Sequence, residues 1–147
     1  MKVEDREAVL GAVLLAAGPS TRLGQSKQLV HLDGEPLVRK SARLLVGAGL
    51  DHVTVVCGCG ADRVKEELVD LPVGTVYNRD WEQGMGGSIN CGVRLMPQYV
   101  DGVMLMVCDQ WRLQADDVNR LIEAWFSDMT RIYVACWDDG AAFVSGP

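Results

Sequence analysis

Three stretches of the chain are apolar or β-branched along almost their whole length. They are Val9 to Ala16, His52 to Cys57 and Val103 to Cys108. A strand that is buried on both faces has this pattern, because neither face needs polar side chains. Two weaker segments, Thr75 to Tyr77 and Arg131 to Cys136, predict further strands. The pattern therefore predicts five strands, the first of which is expected to be central.

Helices are predicted after each of the first two strands. The first helix opens at Pro36, whose fixed φ suits a first helical position, and it closes at Gly47 or Gly49. The second runs from Asp62, a good N-cap residue, to Val69. Each strand is thus followed by a helix, which is the repeating unit of a parallel sheet.

Two more helices are predicted in the second half of the chain. One runs from about Ser88 to Met96, where Pro97 stops it. The other has apolar residues at helical spacing at Val118, Leu121, Ile122, Trp125 and Phe126. Strands that alternate with helices are joined by right-handed crossovers into a parallel sheet. We therefore expect a three-layer, doubly wound α/β fold with a mainly parallel sheet, in one domain spanning residues 1–147.

Net charge limits the ligands that the protein can attract. The 147 residues are 48% hydrophobic and include 14 basic and 20 acidic residues, which gives a formal charge of −6. A negative chain has no general attraction for nucleic acid or an anionic membrane, so we expect neither as a partner. Any polyanion would have to be held by local cations. The acidic leader and the lack of a long apolar segment predict a cytoplasmic protein.

Polar and glycine residues follow each of the first four predicted strands. Ligands of doubly wound sheets bind outside the carboxyl ends of the strands, so these positions are the first candidates for a functional site. They are Gly18 to Gly24, Gly58 to Gly60, Asn78, and Asp109 with Gln110.

The first of these loops has the composition of a triphosphate cradle. It matches neither the glycine pattern of dinucleotide-binding folds nor that of a P-loop. Its glycines would let backbone N–H groups approach an anion, its hydroxyls would donate to the anion, and its cations would neutralise it. These residues are Gly18, Gly24, Ser20, Thr21, Arg22 and Lys27. The alternative is a glycine-assisted turn with two solvated cations.

Asp109 ends an apolar strand, where a carboxylate has little reason to stand unless it meets a cation. Proteins usually hold Mg²⁺ by one or two carboxylates together with phosphate oxygens, so Asp109 is a candidate Mg²⁺ ligand. The alternative role is to cap the turn that follows the strand.

A third candidate is the loop from Glu82 to Ser88, which contains three glycines and leads into a predicted helix. Free N–H groups at that helix N-terminus, together with the Ser88 hydroxyl, could contact a nucleotide. The alternative is a flexible connection without a binding role. His31 and His52 stand alone in the sequence and are expected to be structural or surface residues.

Residues 14–29 read LLAAGPSTRLGQSKQL, and they closely resemble the L-A-A-G-x-S-x-R-x-G-x-x-K signature of the MobA-like NTP transferases. The similarity continues through Asn78, the loop from Glu82 to Ser88, and the segment CDQ at 108–110. It covers nearly all of Val9 to Cys136. The double alanine before Gly18 resembles the molybdenum cofactor cytidylyltransferase branch, in which the donor is CTP.

This resemblance implies a Rossmann-like nucleotidyltransferase fold and a role for each matched residue. The loop from Gly18 to Gly24 would wrap the β and γ phosphates, and the catalytic residues would be Arg22, Lys27 and Asp109, with Asp109 also the Mg²⁺ ligand. The nucleotide-binding residues would be Ala16, Ala17, Gly18, Ser20, Thr21, Arg22, Gly24, Lys27, Asn78, Gly84 and Ser88. The implied reaction transfers CMP from CTP to the terminal phosphate of molybdopterin and releases pyrophosphate.

The sequence also departs from the family pattern. Trp111 stands where relatives commonly have proline, and Gly87 replaces a usual serine. Family members continue past the fifth strand into elements that help form the acceptor site, whereas residues 137–147 do not match, so we expect a C-terminally short domain. Three hypotheses remain: an active cytidylyltransferase, a nucleotide-binding protein without turnover, and a transferase for another phosphorylated acceptor. A molybdoenzyme or a second copy of the chain would be the protein partner.

Overall fold

The computed structural model describes residues 6–19, 26–138 and 141–145. In chain order its strands are β1 (Leu10–Ala16), β2 (His31–Leu32), β3 (Glu35–Pro36), β4 (Val53–Cys57), β5 (Gly74–Tyr77), β6 (Gly102–Val107), β7 (Val134–Asp138) and β8 (Ala141–Ser145). Its α-helices are α1 (Leu37–Gly47), α2 (Ala61–Glu66), α3 (Met85–Arg94) and α4 (Ala115–Ser127). Among the described residues, no helix is long and apolar enough to cross a membrane.

A parallel sheet of four strands lies at the centre, in the order β5-β4-β1-β6. β1 pairs with β4 in the register Leu14↔Val55 and with β6 in the register Leu14↔Met106. Neighbours on both sides satisfy the backbone groups of β1, which confirms its predicted central position. Because all four strands are parallel, their carboxyl ends meet at one edge of the sheet, and the loops described below leave from that edge.

Helices cover both faces of the sheet. One face carries Leu14, Val55 and Met106, and α1, α2 and α4 pack against it. The other face carries Val13 and Val56, and α3 packs there. Full burial of side chains of this size contributes about 1.5–3 kcal/mol each. The predicted three-layer α/β fold is confirmed, and the sequence signal for it is the continuous apolar runs of β1, β4 and β6.

The helix that leads away from the site begins earlier than expected. α3 begins at Met85, about one turn before the predicted start at Ser88, so Gly86 and Gly87 are helical. Glycine disfavours helix by roughly 1 kcal/mol per residue, which is why the sequence pattern placed the start too late. The packing of α3 against β1 and β4 outweighs that preference.

The bounds of α2 also differ from the prediction. The helix runs Ala61–Glu66, whereas Asp62 to Val69 was expected. Its N-cap is Gly60 in the left-handed conformation, with φ 68°, so the prediction that Asp62 caps the helix is wrong. Asp62 instead lies in the first turn, where its negative charge faces the positive end of the helix dipole.

The last predicted strand does not join the parallel sheet. β7 runs Val134–Asp138 rather than Arg131 to Cys136, and it pairs antiparallel with β8 in a separate sheet of two strands. The prediction of a fifth strand in the parallel sheet is therefore wrong. The crossover through α4 is long enough for parallel pairing with the sheet, but β7 pairs instead with β8, the next strand along the chain, as strands joined by a short connection commonly do.

Hydrogen-bonded ion pairs fasten two outer segments to the fold. Arg39 of α1 donates to both carboxylate oxygens of Asp70, at 2.6 and 2.7 Å. This guanidinium lowers the pKa of Asp70 to about 2. Asp101 accepts from the N–H of Val9 and from Arg6, both at 2.8 Å, and the bond from Val9 lowers the pKa of Asp101.

Candidate active site

A cavity of about 720 Å³ opens at the carboxyl ends of β1 and β6. This volume lies within the usual range for sites that bind small molecules and cofactors, about 300–1,000 Å³. The end of β1, the first 3-10 turn, the start of α3 and the end of β6 all contribute to the wall. The lining residues are Leu15, Ala16, Ala17, Gly18, Pro19, Lys27, Gln28, Trp81, Glu82, Gly84, Met85, Ser88, Val107, Cys108 and Asp109.

Lys27 and Asp109 bring opposite charges to the rim of this cavity. Lys27 stands on the 3-10 turn Lys27–Leu29, and Asp109 follows β6. The Lys27 Nζ lies 3.7 Å from an Asp109 carboxylate oxygen, and both side chains are about half exposed, at 51% and 53%. An exposed pair of this kind contributes roughly 0–1 kcal/mol to stability, so water or a ligand can readily separate the two groups.

The backbone that leaves β1 is held by hydrogen bonds from other parts of the chain. The buried Gln28 Nε2 donates to the carbonyl oxygen of Ala16 at 2.8 Å and to that of Gly18 at 2.9 Å. The N–H of Cys59 donates to the carbonyl oxygen of Ala17 at 3.0 Å. Three consecutive carbonyl groups at the start of the first loop therefore have protein partners.

A buried polar network supports the opposite wall. Asn78, directly after β5, donates from Nδ2 to the Ser88 Oγ at 3.0 Å, and its Oδ1 accepts from the N–H of Asp80 at 3.0 Å. Asn78 and Ser88 are both buried, yet Ser88 still lines the cavity. Because the Ser88 oxygen accepts from Asn78, its hydroxyl proton remains available to an acceptor in the cavity.

The N-terminus of α3 forms part of the same wall. Gly84 is its N-cap residue, with φ 116° and ψ 176°, a conformation that a side chain would strain. The first N–H groups of a helix lack partners within the helix and carry a partial positive charge. Since Gly84, Met85 and Ser88 all line the cavity, this helix end can receive an anion or a polar ligand atom.

Two thiols at the strand ends are poor candidates for a nucleophile. Burial raises the pKa of the Cys57 thiol to about 11. Burial also raises the pKa of the Cys108 thiol, and the nearby negative charge of Asp109 raises it further. Both thiols are therefore protonated near neutral pH. A thiolate is the reactive form of cysteine, so the cavity has no activated thiol at these positions.

The structure brings most of the predicted site residues to one cavity. The lining residues among them are Ala16, Ala17, Gly18, Lys27, Gly84, Ser88 and Asp109. Asn78 lies behind Ser88 rather than on the cavity wall, with both ends of its amide bonded to the protein. The predicted residues Ser20, Thr21, Arg22 and Gly24 lie outside the described part of the chain.

Sequence reasoning assigned no role to Gln28, Trp81 or Met85, which also line the cavity. Trp81 packs against the cluster of Val13 and Val56. In the sequence, only their proximity to predicted site residues could have indicated them. Gln28 follows Lys27, Met85 follows Gly84, and Trp81 lies three residues before Gly84. Burial of a single polar residue such as Gln28 leaves no mark on the sequence pattern.

A metal ion at this site would need ligands from outside the protein. Among the described residues, no group of three or more His, Cys, Asp or Glu side chains is placed to hold one. Asp109 offers one half-exposed carboxylate at the cavity rim. This arrangement fits Mg²⁺, which commonly takes one or two carboxylates and completes its shell with phosphate oxygens and water.

Comparison with known proteins finds relatives that share this region. The chain is 31% identical over 131 residues to the purine catabolism protein PucB of Bacillus subtilis, which covers 80% of this chain and 61% of PucB. It is 32% identical over 103 residues to a probable molybdenum cofactor guanylyltransferase of Synechococcus elongatus, covering 69% of this chain and 51% of the relative. The chain thus spans only about half to three fifths of these proteins.

A solved structure shares the fold and matches in sequence at a similar level. It is a nucleotidyl transferase from Methanothermobacter, with a TM-score of 0.70 and 27% identity, and the match covers 78% of this chain and 57% of that chain. The superposed fold agrees with the parallel sheet and flanking helices described above.

A family model shows where the chain belongs. The model of the MobA-like NTP transferase domain matches residues 12–144. That range extends past Cys136, so the expectation that the similarity ends there, with an unmatched tail, is wrong. The matched range includes all of β7 and all but the last residue of β8. Because the match covers most of the sequence, the chain belongs to the MobA-like NTP transferase family.

Proposed function

We propose that the cavity binds a nucleoside triphosphate with Mg²⁺ and that the chain acts as a nucleotidyltransferase, moving CMP from CTP to the phosphate of molybdopterin. The observation that carries this proposal is the meeting of Lys27, Asp109 and the N-terminus of α3 around one cavity of about 720 Å³. A cation and a carboxylate suit a metal-bound triphosphate, and the N–H groups of a helix N-terminus can bind a polar atom of the nucleoside. Membership of the MobA-like family supports the same reaction class.

The Lys27–Asp109 pair can change partners when a nucleotide binds. In the structure the ammonium and the carboxylate face each other at 3.7 Å. A triphosphate accompanied by Mg²⁺ offers both groups stronger partners, since Lys27 can bind a phosphate oxygen and Asp109 can bind the cation. The weak exposed pair costs little to open. Arg22 supplies a second cation to the triphosphate in this proposal, as the family resemblance implies.

Asp109 is the protein ligand that would hold the metal ion. When bound, Mg²⁺ neutralises charge on the phosphate oxygens and stabilises the leaving pyrophosphate. The protein's own residues do the remaining work: Lys27 and Arg22 hold the β and γ phosphates, and the start of α3 orients the nucleoside.

The proposed reaction needs alignment rather than a protein nucleophile. A terminal phosphate oxygen of molybdopterin attacks the α-phosphorus of CTP. A new phosphorus–oxygen bond forms there while the bond from the α-phosphorus to the bridging oxygen breaks, and pyrophosphate leaves with that electron pair. The protonated thiols of Cys57 and Cys108 are consistent with direct transfer, because no covalent enzyme intermediate is required.

The identity of the donor's nucleobase is inferred from the part of the cavity wall that contains Ala16 and Ala17. Both alanines line the same cavity as Gly84 and Ser88, and the resemblance to cytidylyltransferases implies that all four lie near the base. The Ser88 hydroxyl proton can be donated to a base acceptor such as those of cytosine. GTP is the second candidate donor, because the chain is 32% identical to a probable guanylyltransferase over 69% of its length.

The proposed acceptor is molybdopterin, through its terminal phosphate. Molybdopterin follows from the double-alanine resemblance, and the relative from Synechococcus elongatus is named for the molybdenum cofactor. A related transferase acting on another phosphorylated acceptor, and nucleotide binding without turnover, are the alternatives. A molybdoenzyme that receives the product, or a second copy of this chain, would be the protein partner, in a cytoplasmic setting.

Calorimetric titration of CTP, GTP and ATP into the purified chain, with and without Mg²⁺, tests the donor site. We expect Mg²⁺-dependent binding with a preference for CTP. A preference for GTP would favour the guanylyl alternative, and no heat with any of the three would contradict the proposal. A second assay would measure pyrophosphate release on adding molybdopterin. Binding without release would support the alternative without turnover.

A further inference from the structure

We propose that Gln28 is a positioning residue, which fixes the start of the first loop so that the cavity can accept a triphosphate. Its side chain is 3% exposed and lies one residue from Lys27. Its Nε2 bridges two carbonyl oxygens, those of Ala16 at 2.8 Å and Gly18 at 2.9 Å. One buried amide group therefore spans the segment where the chain leaves β1. The inference rests on the proposed function, because it assigns Gln28 a part in triphosphate binding.

Electrostatics explain why these two carbonyl groups must be held. A peptide carbonyl oxygen carries partial negative charge and would repel a phosphate if it turned into the cavity. The Gln28 amide occupies the oxygens of Ala16 and Gly18, and the Cys59 N–H occupies that of Ala17 at 3.0 Å. Each carbonyl oxygen from Ala16 to Gly18 thus accepts a hydrogen bond from the protein. The backbone from Ala16 to Gly18 is therefore held by the protein's own donors.

Gln28 also links the loop to the cation that the proposed function requires. Lys27, Gln28 and Leu29 form one 3-10 turn. Leu29 is buried in the core on one side of the turn, while Lys27 reaches the cavity on the other. With Gln28 bonded to the end of β1, the position of the Lys27 backbone is fixed relative to Ala16 and Gly18. A single residue thus holds the backbone at Ala16 and Gly18 and belongs to the turn that carries Lys27.

The variant Gln28→Met tests this role, because methionine has nearly the same length and remains apolar in a buried site but cannot donate. The matched control is Gln98→Met, the same change at an exposed position after the C-terminal end of α3. We expect Gln28→Met to weaken binding of CTP with Mg²⁺ by about tenfold, the effect of losing about one net hydrogen bond. Gln98→Met should bind like the unaltered chain.

Amide hydrogen exchange in the nucleotide-free chain provides a readout that general destabilisation would not reproduce. In Gln28→Met the Cys59 N–H, bonded to the Ala17 oxygen, should exchange about tenfold faster. Slowly exchanging amides of β1 and β4 should change much less. Equal acceleration at all of these amides would show that Gln28 only stabilises the fold, and would overturn the proposal.

These two measurements separate failure of the inference from failure of the proposed function. If the unaltered chain binds CTP and Gln28→Met binds it equally well, the positioning role of Gln28 is wrong while the donor site stands. If the unaltered chain binds no triphosphate, the proposed function fails and the role of Gln28 in binding fails with it. Faster exchange at Cys59 alone would then show a local structural bond without a binding role.

Discussion

Lys27 and Asp109, which are proposed to bind the nucleotide, form a pair that adds little to stability. The two groups lie 3.7 Å apart and are about half exposed, so water screens their attraction. The paired carboxylate and ammonium remain in contact with water, so each can exchange its partner for a charged ligand. Substitution at either position should therefore affect nucleotide affinity far more than the free energy of unfolding.

Replacing Lys27 with alanine removes one cation from the proposed triphosphate site. A hydrogen bond between charged groups contributes roughly 1.5–3 kcal/mol, so the affinity for CTP with Mg²⁺ should fall about 10- to 100-fold or beyond detection. The urea midpoint of unfolding should shift little. Calorimetry and urea titration check the two effects, with Lys65→Ala as an exposed control on α2. Equal affinity in Lys27→Ala and Lys65→Ala would remove Lys27 from the site.

At the residue scale, position directly after a strand was only a partial guide to the cavity. Gly18 and Asp109 were selected on that ground and line it, whereas Gly58 to Gly60 and Gln110 were selected on the same ground and do not. The same reasoning failed to distinguish Asn78, whose amide is used within the protein, from residues that face the cavity. Which way a polar side chain turns depends on contacts with distant residues, and one sequence does not contain them.

α3 shows how tertiary packing decides the limits of an element. Its residue Gly92 lies against the sheet, where an added Cβ would come within 2.4 Å of a Val13 methyl carbon. The helix can approach the sheet this closely only because that side chain is missing. Gly86, near the start of the same helix, has no atom within 4 Å of the corresponding position.

The substitutions Gly92→Ala and Gly86→Ala should therefore change stability in opposite directions. Gly92→Ala overpacks the contact with Val13 and should lower the free energy of unfolding by roughly 1–3 kcal/mol. Gly86→Ala gains helix propensity without a clash and should raise it by up to about 1 kcal/mol. Urea unfolding of both variants measures the difference. A Gly92→Ala variant as stable as Gly86→Ala would contradict the close approach of α3 to β1.

Elements with a strong local signal were predicted, and elements set by distant contacts were not. β1, β4 and β6 are short runs of apolar and β-branched residues, which are typical of buried strands, and their positions were found within about one residue. The start of α3 was missed because Gly86 and Gly87 lie inside the helix. The β7–β8 hairpin was missed because pairing partners cannot be read from either strand alone.

On the scale of the whole molecule, one edge of the sheet collects the candidate chemistry. The end of β1, the 3-10 turn with Lys27, the start of α3 and the end of β6 come from four parts of the chain and surround one cavity. Parallel strand direction produces this convergence, because every loop that leaves a carboxyl end starts at the same edge. The general place of the site therefore followed from the predicted fold class.

Part of the acid sensitivity of the fold should come from the ion pair between Arg39 and Asp70. Arg39 lowers the pKa of Asp70 in the folded protein to about 2, below its usual value near 3.8. A lowered folded-state pKa gives stabilisation that is present above the usual value and is lost as the pH falls towards 2. Asp70→Asn should thus be less stable than the unaltered chain at pH 6, with the gap closing towards pH 2.

Urea midpoints between about pH 6 and pH 2 check this expectation. The control is Asp51→Asn, an exposed aspartate that forms no ion pair with any described residue. Its midpoints should run parallel to those of the unaltered chain. A constant gap for Asp70→Asn across the whole range would show that the Arg39–Asp70 pair does not cause the acid sensitivity.

We propose that this edge of the sheet binds a nucleoside triphosphate through Mg²⁺ and Asp109. The most direct test is the affinity of CTP measured by calorimetry with Mg²⁺ and with a chelator, in the unaltered chain and in Asp109→Asn. Mg²⁺ should strengthen CTP binding to the unaltered chain by at least about tenfold and should have little effect on the variant, whose amide is a poorer ligand for the cation. The same Mg²⁺ dependence in both proteins would contradict the account.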